Sequence, residues 1–421
     1  MKKLFLLICT SFILFACSKG EDEPSVPEKE QALVTAWAYL VADNTLKTDL
    51  RNNIKMMYEG LSNMEKQATL LVYWDGGSSD SYLAASPCII KYTTDGYGNI
   101  NGIPARDSSY TTRFISEQGV IVKEYNSHLS VDKDVMTSIL KDLNSFSPTD
   151  KIALLAGSHG SAWTHSISPK VRSFGQDGTG TDNTITTSDM AKAITNAGIK
   201  LDLLLFDACL MGTVEVCYDF RNAVNYLIAS AIEAPGPGIP YNEIMEDIYA
   251  GTVDSYTNIC KKEIAHYAKR TDGYDWSTMA LISCSQTIQL AELVKEQLMA
   301  NKDKLYNYNP IPTLQQYGIN KRYEDDGLSN NFYYVSFDLI QFIKELNDNV
   351  LPSNFSTQFS KTVLYADCLE NSRNYPVKKS NFCGIGMYIP VSVRPAWNTY
   401  FKTIDWYTAA GWDQISFSWG F

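Results

Sequence analysis

The sequence predicts an α/β protein built on a doubly wound, mostly parallel sheet, with helices on both faces and a smaller C-terminal extension. Three observations predict it. Short, nearly continuous apolar runs recur along the chain, helical patterns lie between them, and each run stops at a small or acidic loop residue. Strands covered on both faces read as unbroken apolar segments, and strand–helix alternation is the pattern of parallel α/β folds.

The runs, in order, are LVTAWAYLVA before Asp43, TLLVYW before Asp75, IALLA before Gly157, LDLLLF before Asp207 and YLIAS before Ala231. LKTDLRNNIKMMYEGL reads as the first helix. SVDKDVMTSILKDLN reads as the next, with Ser130 as N-cap and acids in the first turn. SDMAKAITNAG runs from a cap at Ser188 to a stop at Gly198. Residues 76–118, rich in Gly, Ser, Tyr and Thr around CIIKY, read as a hairpin excursion. Beyond residue 240 the pattern weakens. TIQLAELVKEQLMA and SFDLIQFIKELN are amphipathic helices there, and GIGMYIP is a further strand.

The chain opens with MKKLFLLICTSFILFACSKG: two lysines, an apolar run and a small residue, the pattern of an export signal. The apolar run is short for a membrane span. LFAC resembles the lipobox of bacterial lipoproteins, which would make Cys17 the acylated first residue of the mature chain. SKGEDEPSVPEKEQ then reads as an acidic tether without fixed structure. The expected organisation is a lipoprotein signal peptide over 1–16, the tether over 17–33, a catalytic core over 34–300, and a C-terminal part over 301–421 that includes a late core strand. The expected location is the bacterial outer membrane, on its periplasmic or cell-surface side, through a lipid anchor. A monomer is expected.

The 421 residues suffice for one large domain with extensions. The formal net charge of -11 becomes two units more negative once a leader holding Lys2 and Lys3 is lost. Phosphate contacts need clustered Lys and Arg, so nucleic acid is excluded as the main partner. Without Cys9 and Cys17, seven cysteines remain. They are scattered without CxxC pairs, which argues against zinc, and no other metal site is read from the residues. The odd count leaves at least one thiol free outside the cytoplasm unless chains cross-link.

In an open parallel sheet, ligands bind beyond the carboxyl ends of the strands. IALLAGSHG places His159 three residues past Ala156, and LDLLLFDAC places Cys209 three residues past Phe206. If the two strands are neighbours, about 4.8 Å apart, an imidazole and a thiol emerge side by side. Such a pair performs acyl chemistry: the thiolate attacks and the imidazole shuttles protons. Gly160, lacking a side chain, lets a backbone N–H approach a substrate carbonyl. With the N–H of Cys209, at a helix start in MGTVEV, it would form an oxyanion hole strengthened by the helix terminus.

The His-Gly pair, the interval of about fifty residues and a Cys just past a buried strand resemble the caspase-type cysteine peptidases. DACLMGTVEV, SHGSAW, LVADNTLKTDLRNNIKMM, YLIASAIEAPGPGIPY and GIGMYIP are similar to the clostripain family, in that family's order and over about residues 34–410. The resemblance implies a caspase-like fold, Cys209 as nucleophile, His159 as general acid/base, and no third residue. It implies cleavage of protein or peptide substrates after Arg or Lys, with Asp207 lining the pocket for the basic side chain. It further implies self-cleavage at Lys170 or Arg172 in the polar stretch between the motifs. Calcium is a possible cofactor at Asp177 and Asp182 by the same resemblance, and none is required. Ser158 and Ser161 depart from the family's usual Asn and Gly around His-Gly, and Glu233 is the sole acid of SAIEAPGPG. The alternative is an inactive, peptidase-like surface lipoprotein that binds protein or glycan. A transpeptidase would use the same acyl-enzyme.

Overall fold

A computed structural model of the chain describes residues 27–78, 80, 83–105, 118–164, 173–178, 183–320, 332–370 and 375–421. Cys17, Lys170, Arg172 and Asp182 lie outside the described residues, as do the leader and most of the acidic tether.

The strands are β1 (Thr35–Val41), β2 (Ala68–Asp75), β3 (Cys88–Thr94), β4 (Asn99–Ile100), β5 (Ile103–Pro104), β6 (Val120–Glu124), β7 (Ile152–Gly157), β8 (Leu201–Asp207), β9 (Val224–Ala229), β10 (Thr278–Ser283), β11 (Gln316–Asn320), β12 (Phe332–Asp338), β13 (Val363–Cys368) and β14 (Gly386–Met387). The large sheet runs β13-β10-β9-β8-β7-β1-β2-β3-β4-β5, with β6 also paired to β3. From β9 through β2 the ladder is parallel. Antiparallel strands flank it, β3 on one side and β10 with β13 on the other. The apolar runs thus form the parallel centre, and the excursion around CIIKY forms one antiparallel edge.

Alternation along each central strand divides the core in two. Trp37, Tyr39 and Val41 of β1 face one layer with Leu204 and Phe206 of β8. Ala36, Ala38 and Leu40 face the other with Leu203 and Leu205. Successive side chains of a strand point to opposite faces, so a strand buried on both sides must be apolar throughout. The first layer is covered by the helices Lys133–Ser145, Thr187–Asn196, Val214–Asp219 and Thr287–Ala300. The second is covered by Lys47–Ser62, Tyr241–Ala250 and Val253–Tyr267.

Several local expectations shift. Asp132, not Ser130, caps the Lys133–Ser145 helix, accepting from the N–H groups of Asp134 and Val135. Ser130 is instead buried among Asp75, Tyr73 and Asp177, its N–H donating to Asp177 Oδ2 at 2.6 Å. Thr186 replaces Ser188 as the next cap, bonding the N–H of Asp189. The extended backbone of Thr186 leaves Ser188 inside the first turn. GIGMYIP supplies β14 to a second, three-stranded sheet (β11-β12-β14) and not to the large one. Ile385, Met387, Tyr388 and Ile389 nevertheless pack in the same buried cluster as β7 and β8. Tyr388 N–H bonds the carboxyl of buried Glu215, and Gly386 N–H bonds Gly212 O at 2.9 Å, so this segment braces the chain beyond Cys209.

Among the described residues no helix is long and apolar enough to cross a membrane.

Leu204 is fully buried at the centre of β8. Leu204→Ala should cost about 2–5 kcal/mol through lost transfer energy and a residual cavity. Urea denaturation followed by tryptophan fluorescence measures it; an unchanged midpoint would contradict the two-layer core.

Candidate active site

β7 and β8 are adjacent and parallel, with Gly157 paired to Asp207. His159 and Cys209 each follow their strand's last residue by two positions, so both emerge at the same height on the same sheet edge. They line one cleft together with Asp49, Asn53, Asp207 and Glu233.

The two loops touch. A Cβ built on Gly160 would lie 2.7 Å from Cys209 O, 2.9 Å from Ala208 Cβ and 3.2 Å from Cys209 N. Only glycine lets the His159 turn lie this close to the Cys209 turn. Gly160 forms an antiparallel bridge with Phe174, held by Gly175 N–H to His159 O at 2.9 Å and Ser161 N–H to Ser173 O at 3.0 Å. Because its neighbours make those bonds, the N–H of Gly160 itself points away from Phe174. Ser158, a departure from the resembled motif, is buried. Its hydroxyl bonds Val41 O at 2.9 Å and accepts from Gln176 N–H at 3.2 Å, tying this loop to the end of β1. Trp163 closes the turn, packed against Tyr388 and Phe401.

On the other loop, Cys209 is followed by Leu210 at φ +67°. A left-handed backbone costs a branched residue about 1–2 kcal/mol, and Leu210 N–H bonding to Ile232 O at 3.0 Å holds it there. The following helix starts at Val214, capped by Thr213. Cys209 therefore lies outside the first turn, and the helix-terminus stabilisation expected from MGTVEV does not apply. The left-handed residue breaks the chain direction before the helix can begin.

Burial pushes the Cys209 thiol well up, and the negative charges of Glu233 and Asp207 push it further. In this state the thiol donates to Ala234 O at 3.9 Å. His159 Nε2 lies 2.9 Å from the hydroxyl of Thr45, on the loop between β1 and the first helix. The side chain of Asn44 holds that loop by donating to Val41 O and Gln176 O, both at 2.8 Å.

Asp207 is buried at the inner wall. Its Oδ2 accepts from Asn53 Nδ2 at 2.7 Å and from Tyr241 OH at 3.2 Å. Burial, with a contribution from Asp49, raises its carboxyl to about 6, while the N–H of Ile239, Tyr241 and Asn53 oppose the rise. Glu233 reaches the cleft. Its carboxylate accepts from Tyr375 OH, and its backbone oxygen accepts from Trp276 Nε1 at 3.1 Å. The cleft thus gathers carboxylates from a helix, a strand end and a loop.

Asp177 faces inward to Ser130 rather than outward, and Asp182 is not described. Among the described residues no group of three or more His, Cys, Asp or Glu side chains is arranged to hold a metal ion. His128 pairs with Tyr73 and His266 with Glu243, outside the cleft.

Sequence reasoning missed Asp49, Asn53 and Thr45. A signal for the first two was present: Leu46, Asp49, Leu50 and Asn53 share one helix face, a stripe of mixed polarity on an otherwise amphipathic helix.

A family model described as the clostripain family matches residues 38–419. Clostripain from Hathewaya histolytica is 24% identical over 237 residues, which span 52% of this chain and 42% of clostripain. A secreted C11 cysteine protease from Bacteroides thetaiotaomicron, solved with an irreversible peptide inhibitor, is 24% identical with a TM-score of 0.69. That match covers 91% of this chain and 99% of the other. An inactive zymogen C11 protease from Parabacteroides distasonis is 20% identical with a TM-score of 0.67, at the same coverage. These two structural likenesses establish the shared fold.

Gly160→Ala should force the two loops apart, lowering stability by about 1–3 kcal/mol as overpacking does. It should also change the rate at which iodoacetamide alkylates Cys209, followed by peptide mass mapping. Wild-type stability and alkylation rate in this variant would contradict the contact.

Proposed function

The chain belongs to the clostripain family of cysteine-type endopeptidases, and from that premise we propose that it hydrolyses peptide bonds after Arg or Lys through a Cys209–His159 dyad. The observation that carries this reading is the shared cleft, in which the thiol, the imidazole and buried Asp207 stand together. A basic side chain entering it would pair with Asp207 through charge-assisted hydrogen bonds. A neutral one would leave that buried acid uncompensated, which is the source of selectivity.

The proton from Cys209 Sγ passes to the His159 ring as sulfur attacks the carbonyl carbon, and the carbonyl oxygen becomes an oxyanion. Backbone N–H groups of Gly160 and Cys209 are proposed to receive it; the direction of the Gly160 N–H, away from Phe174, supports that role. The imidazolium then protonates the leaving amine, and a thioester remains. Water, deprotonated by His159, attacks the thioester, releasing the acid and restoring the thiol. Side chains and backbone alone carry every step. Bound cationic substrate also offsets the charge of Asp207, one of the groups that hold the resting thiol up. Specificity and activation are thereby linked.

The proposal extends to export with a lipid anchor at Cys17, and to self-cleavage after Lys170 or Arg172. The hydrogen bond from Ser173 Oγ to Thr164 O, 3.0 Å long, would keep the flanking ends of that stretch in place after a cut. Two fragments on a denaturing gel, absent from Cys209→Ala, are expected.

Hydrolysis of a short chromogenic peptide ending in Arg or Lys tests the central reading. Cys209→Ala and His159→Ala should each lose about 10³-fold or more in kcat/KM; wild-type activity in either would end the proposal.

Asp207→Asn should lower kcat/KM for basic peptides by about 100-fold. Because the Asp207 carboxyl sits near 6 and is charged only above that value, kcat/KM for basic peptides should fall as pH drops through about 6. A pH–rate profile in which Asp207→Asn keeps that limb would assign it elsewhere.

A further inference from the structure

The imidazole of His159 is met by a hydroxyl from the turn after another strand. Thr45 Oγ1 lies 2.9 Å from His159 Nε2. Thr45 follows β1 and His159 follows β7, and these strands are parallel neighbours with Leu40 opposite Gly157. The turn that presents Thr45 is itself clamped. Asn44 Oδ1 accepts from Leu46 N–H at 2.8 Å, an Asx turn with Thr45 at its centre. Asn44 Nδ2 donates to Val41 O and Gln176 O, both at 2.8 Å, and reaches Ser158 Oγ at 3.3 Å. Ser158 immediately precedes His159, and its hydroxyl donates to Val41 O at 2.9 Å. One hydrogen-bonded frame therefore carries both the hydroxyl and the ring. Thr45 does not line the cleft, so it meets the chemistry through His159 and not through the substrate.

We propose that Thr45 is a positioning residue for His159. Its hydroxyl accepts the Nε2–H, so Nδ1 is the nitrogen that exchanges protons with Cys209, the leaving amine and water. The inference rests on the reading of His159 as the acid/base of the cleft. A neutral imidazole holds one proton, and the bond made by one nitrogen decides whether the other is basic. The opposite arrangement, with the hydroxyl donating to Nε2, would put the proton on Nδ1 and leave no basic nitrogen for the thiol. A hydroxyl accepts from Nε2–H whether the ring is neutral or charged, so the contact survives each proton transfer at Nδ1. It also strengthens when the ring is charged, since hydrogen bonds from charged donors are the stronger ones. Thr45 thus favours the proton transfer that burial and the acids of the cleft oppose at the Cys209 thiol.

The test measures kcat and KM for a chromogenic peptide ending in Arg or Lys on wild type, Thr45→Val and Thr45→Ser. In parallel, NMR of nitrogen-labelled histidine reads the His159 tautomer at about pH 8.5, where the ring is neutral, with His159→Ala assigning the signals. Valine keeps the shape of threonine and removes the hydroxyl. Thr45→Val should lower kcat by about 10-fold and leave KM within about twofold. Thr45→Ser should restore kcat, which a side chain needed only for packing would not do. The wild-type ring should carry its proton on Nε2, and Thr45→Val should mix the tautomers. A wild-type ring protonated on Nδ1 overturns this inference, even where Thr45→Val does not fold. Wild-type or higher kcat in Thr45→Val also overturns it, as does a kcat in Thr45→Ser no better than in Thr45→Val. Each of these results leaves the cleavage reading standing. Wild type cutting no such peptide overturns that reading and this inference with it.

Discussion

The parallel pairing of β7 with β8 is the constraint on which the site depends. With Gly157 opposite Asp207, residues at equal offsets beyond the two strand ends must come out side by side. A slip of one residue would send one of the two side chains to the opposite face. The slip is prevented by the two-sided apolar core, because a displaced β8 would exchange the layers that Leu204 and Leu205 occupy. Packing within the two layers therefore sets where the loops that carry a thiol and an imidazole emerge. Gly160 converts adjacency into contact, since any side chain there would collide with the Cys209 backbone.

Electrostatics at this edge run against an isolated thiolate. Asp207 and Glu233 both oppose ionisation of Cys209, and burial opposes it most. A site built to hold a reactive thiolate at rest would surround the sulfur with positive charge or donors. Here the cleft is acidic, and a basic substrate of the kind proposed would bring the missing positive charge. The resting thiol bonded toward Ala234 O and the imidazole bonded to Thr45 are consistent with a centre that becomes reactive as substrate enters. The acids proposed to select the substrate thus also oppose ionisation of the thiol in the empty site.

Much of this was legible in the sequence, for identifiable reasons. Nearly continuous apolar strands such as TAWAYLV and LDLLLF are legible because a sheet covered on both faces needs them, and the loops that follow β7 and β8 carry the residues proposed to react. Cap positions were less legible, since Ser130 and Asp132, or Thr186 and Ser188, are equally good caps two residues apart and backbone geometry decides between them. GIGMYIP was legible as a buried strand-like segment, while its membership of a second sheet depends on pairing with residues far away in the chain. Asp49 and Asn53 were not assigned because the motif that holds them, LVADNTLKTDLRNNIKMM, carries no mark of which of its polar residues face the cleft. The packing of the Lys47–Ser62 helix across the ends of the strands brings Asp49 and Asn53 to the cleft.

The account stands most directly on one reaction. A peptide ending in an arginyl chloromethyl ketone should form a single covalent adduct, seen by intact mass and located by peptide mapping to Cys209. Prior incubation with an excess of a neutral-ended analogue should leave the labelling intact. Modification of another cysteine, or no adduct with folded protein, would contradict the claim that the β7 and β8 loops assemble one acidic, thiol-bearing site.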